Sequence, residues 1–158
     1  MIKLAVFSDT HGYLSNLKKA KELLPDDIDA VLHLGDFAAD ANAIGQALGV
    51  PVYAVCGNCD ELWDSSDSPK KRIVSFDGVR ILMTHGNHYR GTYELGLAAE
   101  EEHCGVVLFG HTHRQLMTCE GNVLVLNPGS LSFPRGTAAG FALLTIENGD
   151  VNAKIYEL

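Results

Sequence analysis

The N-terminal part of the chain alternates short apolar runs with stripes of apolar residues at helical spacing. The runs predict buried strands, and the stripes predict amphipathic helices. Each run stops at a polar cluster, whereas each stripe stops at a Pro or Gly, residues that commonly follow helix ends. The predicted strands are Ile2–Phe7, Ala30–Leu34 and Val52–Val55, with helices over Leu17–Leu24 and Ala41–Leu48 between them. This β-α-β-α-β order predicts parallel strands.

Hairpin signals dominate the rest of the chain. The apolar runs 73–76 and 79–84 flank Asp77-Gly78, a pair suited to a type I′ turn, and the second strand leads directly to His85. Two further hairpins are expected to turn near Glu120-Gly121-Asn122 and at Asn148-Gly149. These patterns predict antiparallel pairs after the parallel half.

One more helix and one more strand are expected between the hairpins. The helix spans about Thr92–His103, and the strand, Val106–Phe109, is buried. The stretch Asp60–Lys71 is the least regular and is predicted to be a mobile surface loop. These elements suit an α/β fold, a four-layer αββα sandwich forming one domain over residues 1–158.

Five polar clusters lie at predicted strand ends and carry the candidate chemistry. They are Asp9-Thr10-His11, Gly35-Asp36, Gly57-Asn58-Cys59-Asp60, His85-Gly86 and Gly110-His111-Thr112-His113. The site of an open α/β sheet lies outside the carboxyl ends of its strands, so the topology is expected to gather the first three clusters. Carboxylate, imidazole and amide donors suit Mn²⁺, Fe, Ni²⁺ or Zn²⁺. The clusters together can supply two divalent metals.

Composition narrows the class of ligand. The chain has 158 residues and 46% hydrophobic content, enough for the core of one domain. Its 12 basic residues against 20 acidic ones give a formal charge of −8, which opposes binding to a nucleic-acid backbone through a broad basic surface. An anionic ligand must therefore be held locally.

The sequence also carries information about compartment. No apolar run approaches a membrane span, and the start of the chain runs directly into the Asp9 motif, so neither a membrane anchor nor a removable signal is expected. The cysteines are too few for a disulfide scaffold and are treated as thiols: Cys56, Cys59, Cys104 and Cys119. We expect a cytoplasmic protein.

In order and spacing, the five clusters resemble the calcineurin-like metallophosphoesterase superfamily. The pattern D-x-H, G-D, G-N-[HC]-D/E, H-G and G-H-x-H extends over nearly the whole chain. Together with Asn127-Pro128-Gly129-Ser130, the motifs are similar to the small phosphodiesterases called the YfcE family. The resemblance implies the αββα sandwich and hydrolysis of phosphate esters, most directly of phosphodiesters.

The same resemblance implies two ligand sets joined by a bridging Asp36. One metal would be held by Asp9, His11, Asp36 and His113, and the other by Asp36, Asn58, His85 and His111. Manganese is the first expectation, with Ni, Fe, Zn or Mg as other candidates. Asp36, Asn58 and His111 are the expected catalytic residues.

The chemistry of such a pair has an independent basis. Two ions about 3.5–4 Å apart activate a bridging hydroxide and neutralise the ester, so no side-chain nucleophile is needed. Asp9 and Asp36 contribute −2 and two divalent ions +4, which leaves the site at +2 in a chain of −8. A small phosphate ester is therefore the expected substrate.

Two residues and one segment also have a second interpretation that involves no chemistry of their own. Asp60 is either a carboxylate that orients ligand imidazoles or a surface-loop acid. Arg135 either grips a substrate phosphate or is only a loop cation. Residues 127–130 are expected to turn beneath the site, with or without contact to substrate. Cys59 replaces the His of many superfamily members and is a poor general acid, which favours esters with good leaving groups.

Several other cysteine, histidine and aromatic residues also carry groups capable of chemistry. The pair Cys56-x-x-Cys59 could be a redox pair or half a zinc site, although no second Cys pair is suitably spaced. His33 is interpreted as a satisfied core histidine, and His103 as a cation at a helix end. Where relatives have His-Gly-His, this chain has His85-Gly86-Asn87-His88, which leaves the roles of Asn87 and His88 open. Three aromatic residues have either a base-stacking or a core or surface role: Tyr13, Trp63 and Tyr89.

Two other functions stay open. The fold also resembles that of the retromer scaffold subunit, which binds proteins and has lost productive ligands, whereas this chain keeps the complete set. A phosphomonoesterase or nucleotidase would present the same phosphorus to the site. No membrane partner is expected, and a homodimer is compatible with the sequence.

Overall fold

The computed structural model describes residues 1–63 and 68–158, which form two five-stranded sheets and four helices. The strands are β1 Ile2–Phe7, β2 Ala30–His33, β3 Val52–Ala54, β4 Lys71–Phe76, β5 Val79–Thr84, β6 Val106–Leu108, β7 Gln115–Glu120, β8 Val123–Pro128, β9 Gly140–Glu147 and β10 Asp150–Glu157. The helices are α1 Leu17–Leu23, α2 Asp40–Leu48, α3 Asn58–Trp63 and α4 Thr92–Glu101.

The first sheet has the order β10-β9-β1-β2-β3. Its strands β1, β2 and β3 are parallel, so the predicted β-α-β-α-β half is confirmed. β1 is fully buried from Leu4 to Phe7, which explains why the sequence shows a continuous apolar run there. β9 and β10 extend the sheet as an antiparallel hairpin.

The second sheet has the order β4-β5-β6-β8-β7, with β5, β6 and β8 parallel at its centre. The hairpins β4–β5, β7–β8 and β9–β10 form as predicted. Asp77 and Gly78 have φ of 46° and 79°, the positive values that a type I′ turn requires at both central positions. Asn148 and Gly149 repeat this geometry with φ of 52° and 79°.

The apolar core has three parts, one between the two sheets and one on the outer face of each sheet. Between the sheets, Leu4 and Val6 of β1 belong to one buried cluster with Ile81 and Met83 of β5. The helices α1 and α2 cover the outer face of the first sheet, and α4 covers the outer face of the second. The predicted four-layer αββα sandwich is therefore confirmed.

Two predicted elements differ from the structure. The stretch 60–71 is not loop throughout, because α3 continues to Trp63 and Lys71 begins β4, while residues 64–67 lie outside the described part. The Gly57 amide donates to Asp60 Oδ2 at 2.8 Å, a contact that stabilises the first turn of α3. Helix α4 ends at Glu101 rather than at His103, which has left-handed φ of 57°.

Smaller differences occur at element ends. α1, β2, β3 and β6 each stop one residue earlier than predicted. Gly49 closes α2 in the left-handed conformation, as the sequence indicated. Within the described ranges, no helix combines the length and apolar character needed to cross a bilayer.

Candidate metal centre

The carboxyl ends of five strands from both sheets meet at one edge of the sandwich. Asp9 follows β1, Asp36 follows β2 and Asn58 follows β3. His85 follows β5, and the segment after β6 carries His111 and His113. Direct hydrogen bonds join neighbouring loops, from the Asp9 amide to the Gly35 carbonyl at 3.0 Å and from the Gly110 amide to the His85 carbonyl at 2.8 Å.

Two acids and two imidazoles form the centre of this edge. The candidate donor atoms of Asp9, His11, Asp36 and His113 all lie within 4.8 Å of one another. His113 Nε2 lies 3.2 Å from Asp9 Oδ1, and His11 Nε2 lies 3.4 Å from Asp36 Oδ2. The two imidazole nitrogens are themselves only 3.2 Å apart. Such a group of donors can hold a metal ion.

His85 joins the same group from the second sheet. Its Nδ1 lies 2.8 Å from the Leu34 carbonyl and donates to it, which leaves a lone pair on Nε2 in the neutral ring. That Nε2 lies 3.4 Å from Asp36 Oδ2 and 3.7 Å from Asp9 Oδ1. The atom therefore faces two acceptors.

His111 and Asn58 complete the set of predicted ligands. His111 Nδ1 lies 3.1 Å from Asn58 Oδ1, and its ring lies edge-on to His85 with centroids 5.3 Å apart. The His111 amide donates to Asp9 Oδ2 at 3.0 Å. The structure thus brings all seven residues together, although their role as metal ligands stays a prediction.

The carboxylates are held ionised. Burial raises the pKa of Asp9, but its close contact with His113 and the neighbouring His85 outweigh burial and leave the pKa below its ordinary value. Burial also raises the pKa of Asp36, yet contacts with His85 and the Cys59 amide hold it well below its usual range. Both groups therefore present negative oxygens to the centre.

The imidazoles divide into two pairs. Burial lowers the pKa of His11 and of His111, so both rings favour the neutral form. The close contact with Asp9 raises the pKa of His113. Burial lowers the pKa of His85, but the Asp36 and Asp9 carboxylates raise it by more, so the net change is an increase. The position in front of His85 and His113 therefore attracts positive charge.

Two orphaned atoms show that the residues present fit a metal. Among the described buried side chains, Asp9 Oδ1 and His85 Nε2 have no hydrogen-bond partner. A buried polar atom without a partner costs about 1–3 kcal/mol, and more when it is charged. A divalent cation would satisfy both atoms, and the mixed oxygen and nitrogen donors suit such an ion.

The backbone of the site is strained. Five of the seven candidate ligands have left-handed φ, namely Asp9 at 52°, His11 at 48°, Asp36 at 54°, His111 at 71° and His113 at 57°. Each such residue costs on the order of 1–3 kcal/mol and persists only where its surroundings impose it. Asp and His tolerate this region better than β-branched residues do, which is consistent with the residue types found here.

Asp60 positions loops and is not a surface acid. Its carboxylate is only 3% exposed. Oδ1 accepts hydrogen bonds from the amides of Phe37 at 2.9 Å and Ala38 at 3.0 Å, and Oδ2 accepts one from Gly57. The predicted surface-loop alternative is wrong, because Asp60 ties the segment after Asp36 to the one before Asn58.

Cys59 contacts Asp36 through its backbone. Its amide donates to Asp36 Oδ1 at 2.9 Å. Burial and the Asp36 carboxylate raise the pKa of the thiol to about 11, so the reactive thiolate is disfavoured near neutrality. Cys56 and Cys59 do not form a disulfide with each other.

A second network was not predicted from the sequence. Asp40 Oδ2 accepts hydrogen bonds from the Thr10 hydroxyl at 2.6 Å and from the Gly12 amide at 2.9 Å. His33 Nδ1 accepts from the Gly35 amide, so its Nε2 proton faces Thr10 Oγ1 at 3.1 Å. Burial lowers the pKa of His33 to about 4, which confirms it as a neutral, satisfied core histidine. The sequence feature that could have indicated this network is a His inside an apolar run together with a Thr inside a motif.

Residues 127–130 lie directly behind the candidate ligands. Asn127 Nδ2 donates to the Gly110 carbonyl at 3.0 Å, and the Ser130 hydroxyl donates to the Asp9 carbonyl at 2.7 Å. These bonds confirm the turn beneath the site. Contact with a substrate stays a prediction.

Arg135 lies beside the centre. Its amide donates to the His113 carbonyl at 3.0 Å. With His11, His113 and Phe133 it lines an open cavity of about 560 Å³. The predicted phosphate contact of Arg135 is untested, and the cavity shows where such a contact would form.

The remaining candidates lie around this edge or away from it. Tyr13 is 61% exposed and contacts the ring of Phe133, whereas Tyr89 packs against the α4 core. Asn87 Nδ2 lies 3.5 Å from His88 Nε2. The Trp63 side chain lies outside the described part of the structure, so its predicted role stays open.

Comparison with known proteins agrees with this geometry. Residues 2–149 match the model of the calcineurin-like phosphoesterase superfamily domain. The chain is 30% identical to the probable metallophosphoesterase YsnB of Bacillus subtilis strain 168, covering 99% of this chain and 91% of that protein. It is also 30% identical to phosphodiesterase MJ0936 of Methanocaldococcus jannaschii, over 81% and 83% of the two chains. Phosphodiesterase YfcE of Escherichia coli K12 is 28% identical, over 86% and 83%.

Solved structures share the fold. An archaeal phosphodiesterase superposes with a TM-score of 0.76 at 25% identity, covering 98% of this chain and 100% of that one. A single mutant of Vps29 from Entamoeba histolytica reaches 0.79 at 21% identity, with 97% of each chain covered, a likeness that shows the fold alone. By the family match and the relatives at 30% identity, this chain belongs to the calcineurin-like phosphoesterase superfamily, whose metallophosphoesterases use divalent metals.

Proposed function

We propose that the chain is a phosphodiesterase that works with two divalent metal ions. The observation that carries this proposal is the pair of orphaned buried atoms, Asp9 Oδ1 and His85 Nε2, at the centre of seven converging metal-binding side chains. Two of the relatives at 28–30% identity are named phosphodiesterases, which supports the same reaction class.

The proposed ligand sets are those that the resemblance to the superfamily implies. Asp9, His11, Asp36 and His113 would hold one ion, and Asp36, Asn58, His85 and His111 the other, with Asp36 shared. Asp36 suits the shared role because its Oδ2 lies 3.4 Å from Nε2 of both His11 and His85, one residue from each proposed ligand set. Mn²⁺ is our first choice, with Ni²⁺, Fe, Zn²⁺ or Mg²⁺ as alternatives.

When bound, the two ions lower the pKa of a water and neutralise the ester oxygens. The side chains of the protein contribute by holding the candidate ligand atoms in position. Hydrogen bonds from His85 to Leu34 and from His113 to Phe133 fix each ring with its Nε2 toward the centre. Asn58 Nδ2 lies 3.8 Å from Cys59 Sγ, and Asn58 Oδ1 lies 3.1 Å from His111 Nδ1, so these three side chains are neighbours at the site.

The preference for diesters follows from Cys59. A thiol with a pKa of about 11 gives little general-acid help to a departing group. The neutral Asn58 beside it leaves the site positive, which suits an anionic ester. Activated diesters are therefore the substrates that this set of residues serves best.

The decisive experiment compares two esters with one leaving group. Protein reconstituted with each metal is assayed on methyl 4-nitrophenyl phosphate and on 4-nitrophenyl phosphate. We expect faster turnover of the diester, two bound equivalents of metal, and one equivalent in His85→Ala. Asp36→Ala should lose at least ~100-fold in turnover because both ions lose a ligand. The matched control is Asp150→Ala, an exposed acid at the start of β10.

Two other functions predict different results. A monoester rate well above the diester rate would indicate a phosphomonoesterase or nucleotidase. A scaffold like Vps29 would show no turnover with any metal. Metal content alone does not separate scaffold from enzyme, since a Vps29 from Entamoeba histolytica at 20% identity has been crystallised with zinc.

A further inference from the structure

Two exposed aromatic rings lie next to the candidate metal ligands. Tyr13 is 61% and Phe133 41% exposed. Their centroids are 5.1 Å apart with the planes at 85°, and the Phe133 centroid is 5.8 Å from that of His11, again edge-to-face. The rings therefore continue the site outward from His11.

The main chain holds Phe133 firmly despite its exposure. Its amide donates to Ser130 Oγ at 2.8 Å, and its carbonyl accepts from His113 Nδ1 at 2.6 Å. The neighbouring Ser132 hydroxyl donates to the Tyr13 carbonyl. The same imidazole that faces the metal position thus fixes the aromatic residue, so both keep one relative position.

The cavity between these groups has the size and chemistry of a ligand pocket. Its volume of about 560 Å³ falls within the roughly 300–1,000 Å³ typical of small-molecule sites. His11 and His113 line it on the metal side, whereas Phe133, Pro134 and Arg135 line the remainder. A phosphate held at the metals would direct one ester substituent toward Phe133.

We propose that Phe133 and Tyr13 select phosphate esters that carry a flat aromatic group on the phosphorus side facing this cavity. The inference rests on the proposed function, because it takes the phosphate to be held at the metal centre. Aromatic rings favour edge-to-face or offset contacts with a second ring, and rigidly held ones lose little entropy on binding. Phe133, the inner ring, meets an aryl group joined to phosphorus through the ester oxygen, and Tyr13, the outer ring, meets a more distant ring such as a nucleobase separated from the phosphate by a sugar.

Direct binding tests the inference independently of turnover. Calorimetry on the Mn²⁺-loaded protein gives the dissociation constants of methylphosphonate, cyclohexylphosphonate and phenylphosphonate. We expect phenylphosphonate to bind roughly tenfold more tightly than the other two, as for other aromatic stacking contacts. Phe133→Ala should remove most of that preference. Tyr93→Ala, which deletes an aromatic residue 67% exposed on α4, should keep it.

The outcomes separate this inference from the proposed function. Equal affinities for the three phosphonates, or an unchanged preference in Phe133→Ala, would overturn the aromatic selection even if diesters are hydrolysed. A phenyl preference in a protein without turnover would support the selection and refute the hydrolase. Thymidine 5′-phosphate, added as a further ligand, distinguishes an aryl group close to the phosphorus from a nucleobase beyond a sugar. Only the nucleotide should lose affinity in Tyr13→Ala.

Discussion

Asp36 connects three separate segments of the site. One oxygen faces His11 and His85 at 3.4 Å each, and the other accepts the Cys59 amide. Its left-handed backbone, at φ of 54°, is what turns the carboxylate inward after β2. In the proposed assignment Asp36 would serve both ions and also fix one loop, so its loss should reduce turnover more than the loss of any single imidazole.

The role of the Cys59 thiol can be tested by two substitutions. Cys59→Ala should retain hydrolysis, because a thiol with a pKa of about 11 does not supply a nucleophile at neutral pH. Cys59→His should raise turnover on esters with poor leaving groups, where general-acid help is worth up to ~10²–10⁴-fold, and change little on activated ones. The measurement is kcat on 4-nitrophenyl and phenyl esters of methyl phosphate.

A Cys59→Ala protein that is inactive but keeps its fold and both metals would contradict the prediction that the thiol is not needed as a nucleophile. Circular dichroism and metal analysis on the same sample supply the control. In that case a covalent route through sulfur would have to replace hydrolysis by an activated water.

Some residue roles are readable from sequence and others are not. The motifs indicate Asp9 or His113 because metal ligands require particular donor types at strand ends. The sequence indicates Asp60 only as a member of a motif and does not indicate Asp40, because the backbone amides that these two acids bind belong to other loops. Their function depends on which loops the fold brings together.

At the level of elements, the loops after β1, β2 and β3 are fastened to one another. Asp60 in α3 binds the segment after β2, and Asp40 in α2 binds the segment after β1. Each short helix thus supplies the acid that fixes a neighbouring ligand loop. The ligand residues keep their left-handed conformation because hydrogen bonds to acids of these helices fix the loops that contain them.

Gly57 tests this arrangement by sterics alone. A Cβ at Gly57 would lie 2.6 Å from the Asp36 amide and 2.9 Å from His85 Cγ, and it would also clash with Asp36 Oδ1. Gly57→Ala should therefore displace Asp36, destabilise the protein by about 1–3 kcal/mol and weaken metal binding. Thermal unfolding and metal analysis measure the two effects, with a melting shift of roughly 2–4 °C for each kcal/mol.

The matched control for Gly57 is Gly105, whose added Cβ would meet no heavy atom within 4 Å. Gly105→Ala should keep both the melting temperature and the metal content. Equal behaviour of the two variants would show that the loops after β2 and β3 are looser than the contacts indicate.

Periodicity was sufficient for most elements and insufficient for two. The strands and hairpins follow from apolar runs and paired turn residues such as Asp77-Gly78, which are local features. α3 is only six residues long, and its first turn depends on Asp60, so no apolar stripe marks it. The end of α4 depends on the left-handed conformation of His103, which is rare for a residue other than Gly.

For the whole molecule, the position of the site follows from the way two sheets share one edge. Parallel strands β1–β3 and β5–β6 end on the same side, and neither sheet alone supplies both ligand sets. The parallel order β5-β6-β8 joins residues far apart in the chain, so local patterns did not reveal it. A net charge of −8 opposes anion binding elsewhere on the surface, so an anionic substrate would depend on the local charge that metal ions supply at this edge.

The metals should stabilise the whole fold in a manner that depends on pH. Ions present at about 100 times their dissociation constant add roughly 2.7 kcal/mol, or about 5–10 °C in melting temperature, relative to protein treated with EDTA. His85 and His113 have raised pKa values in the metal-free protein, so their rings gain protons first as the pH falls and then repel the cations. The difference in melting temperature should therefore shrink between pH 7.5 and 5.5, and His85→Ala should have a smaller difference at pH 7.5. A difference that stays constant over this range would show that the stabilising ions bind somewhere other than the imidazoles of this centre.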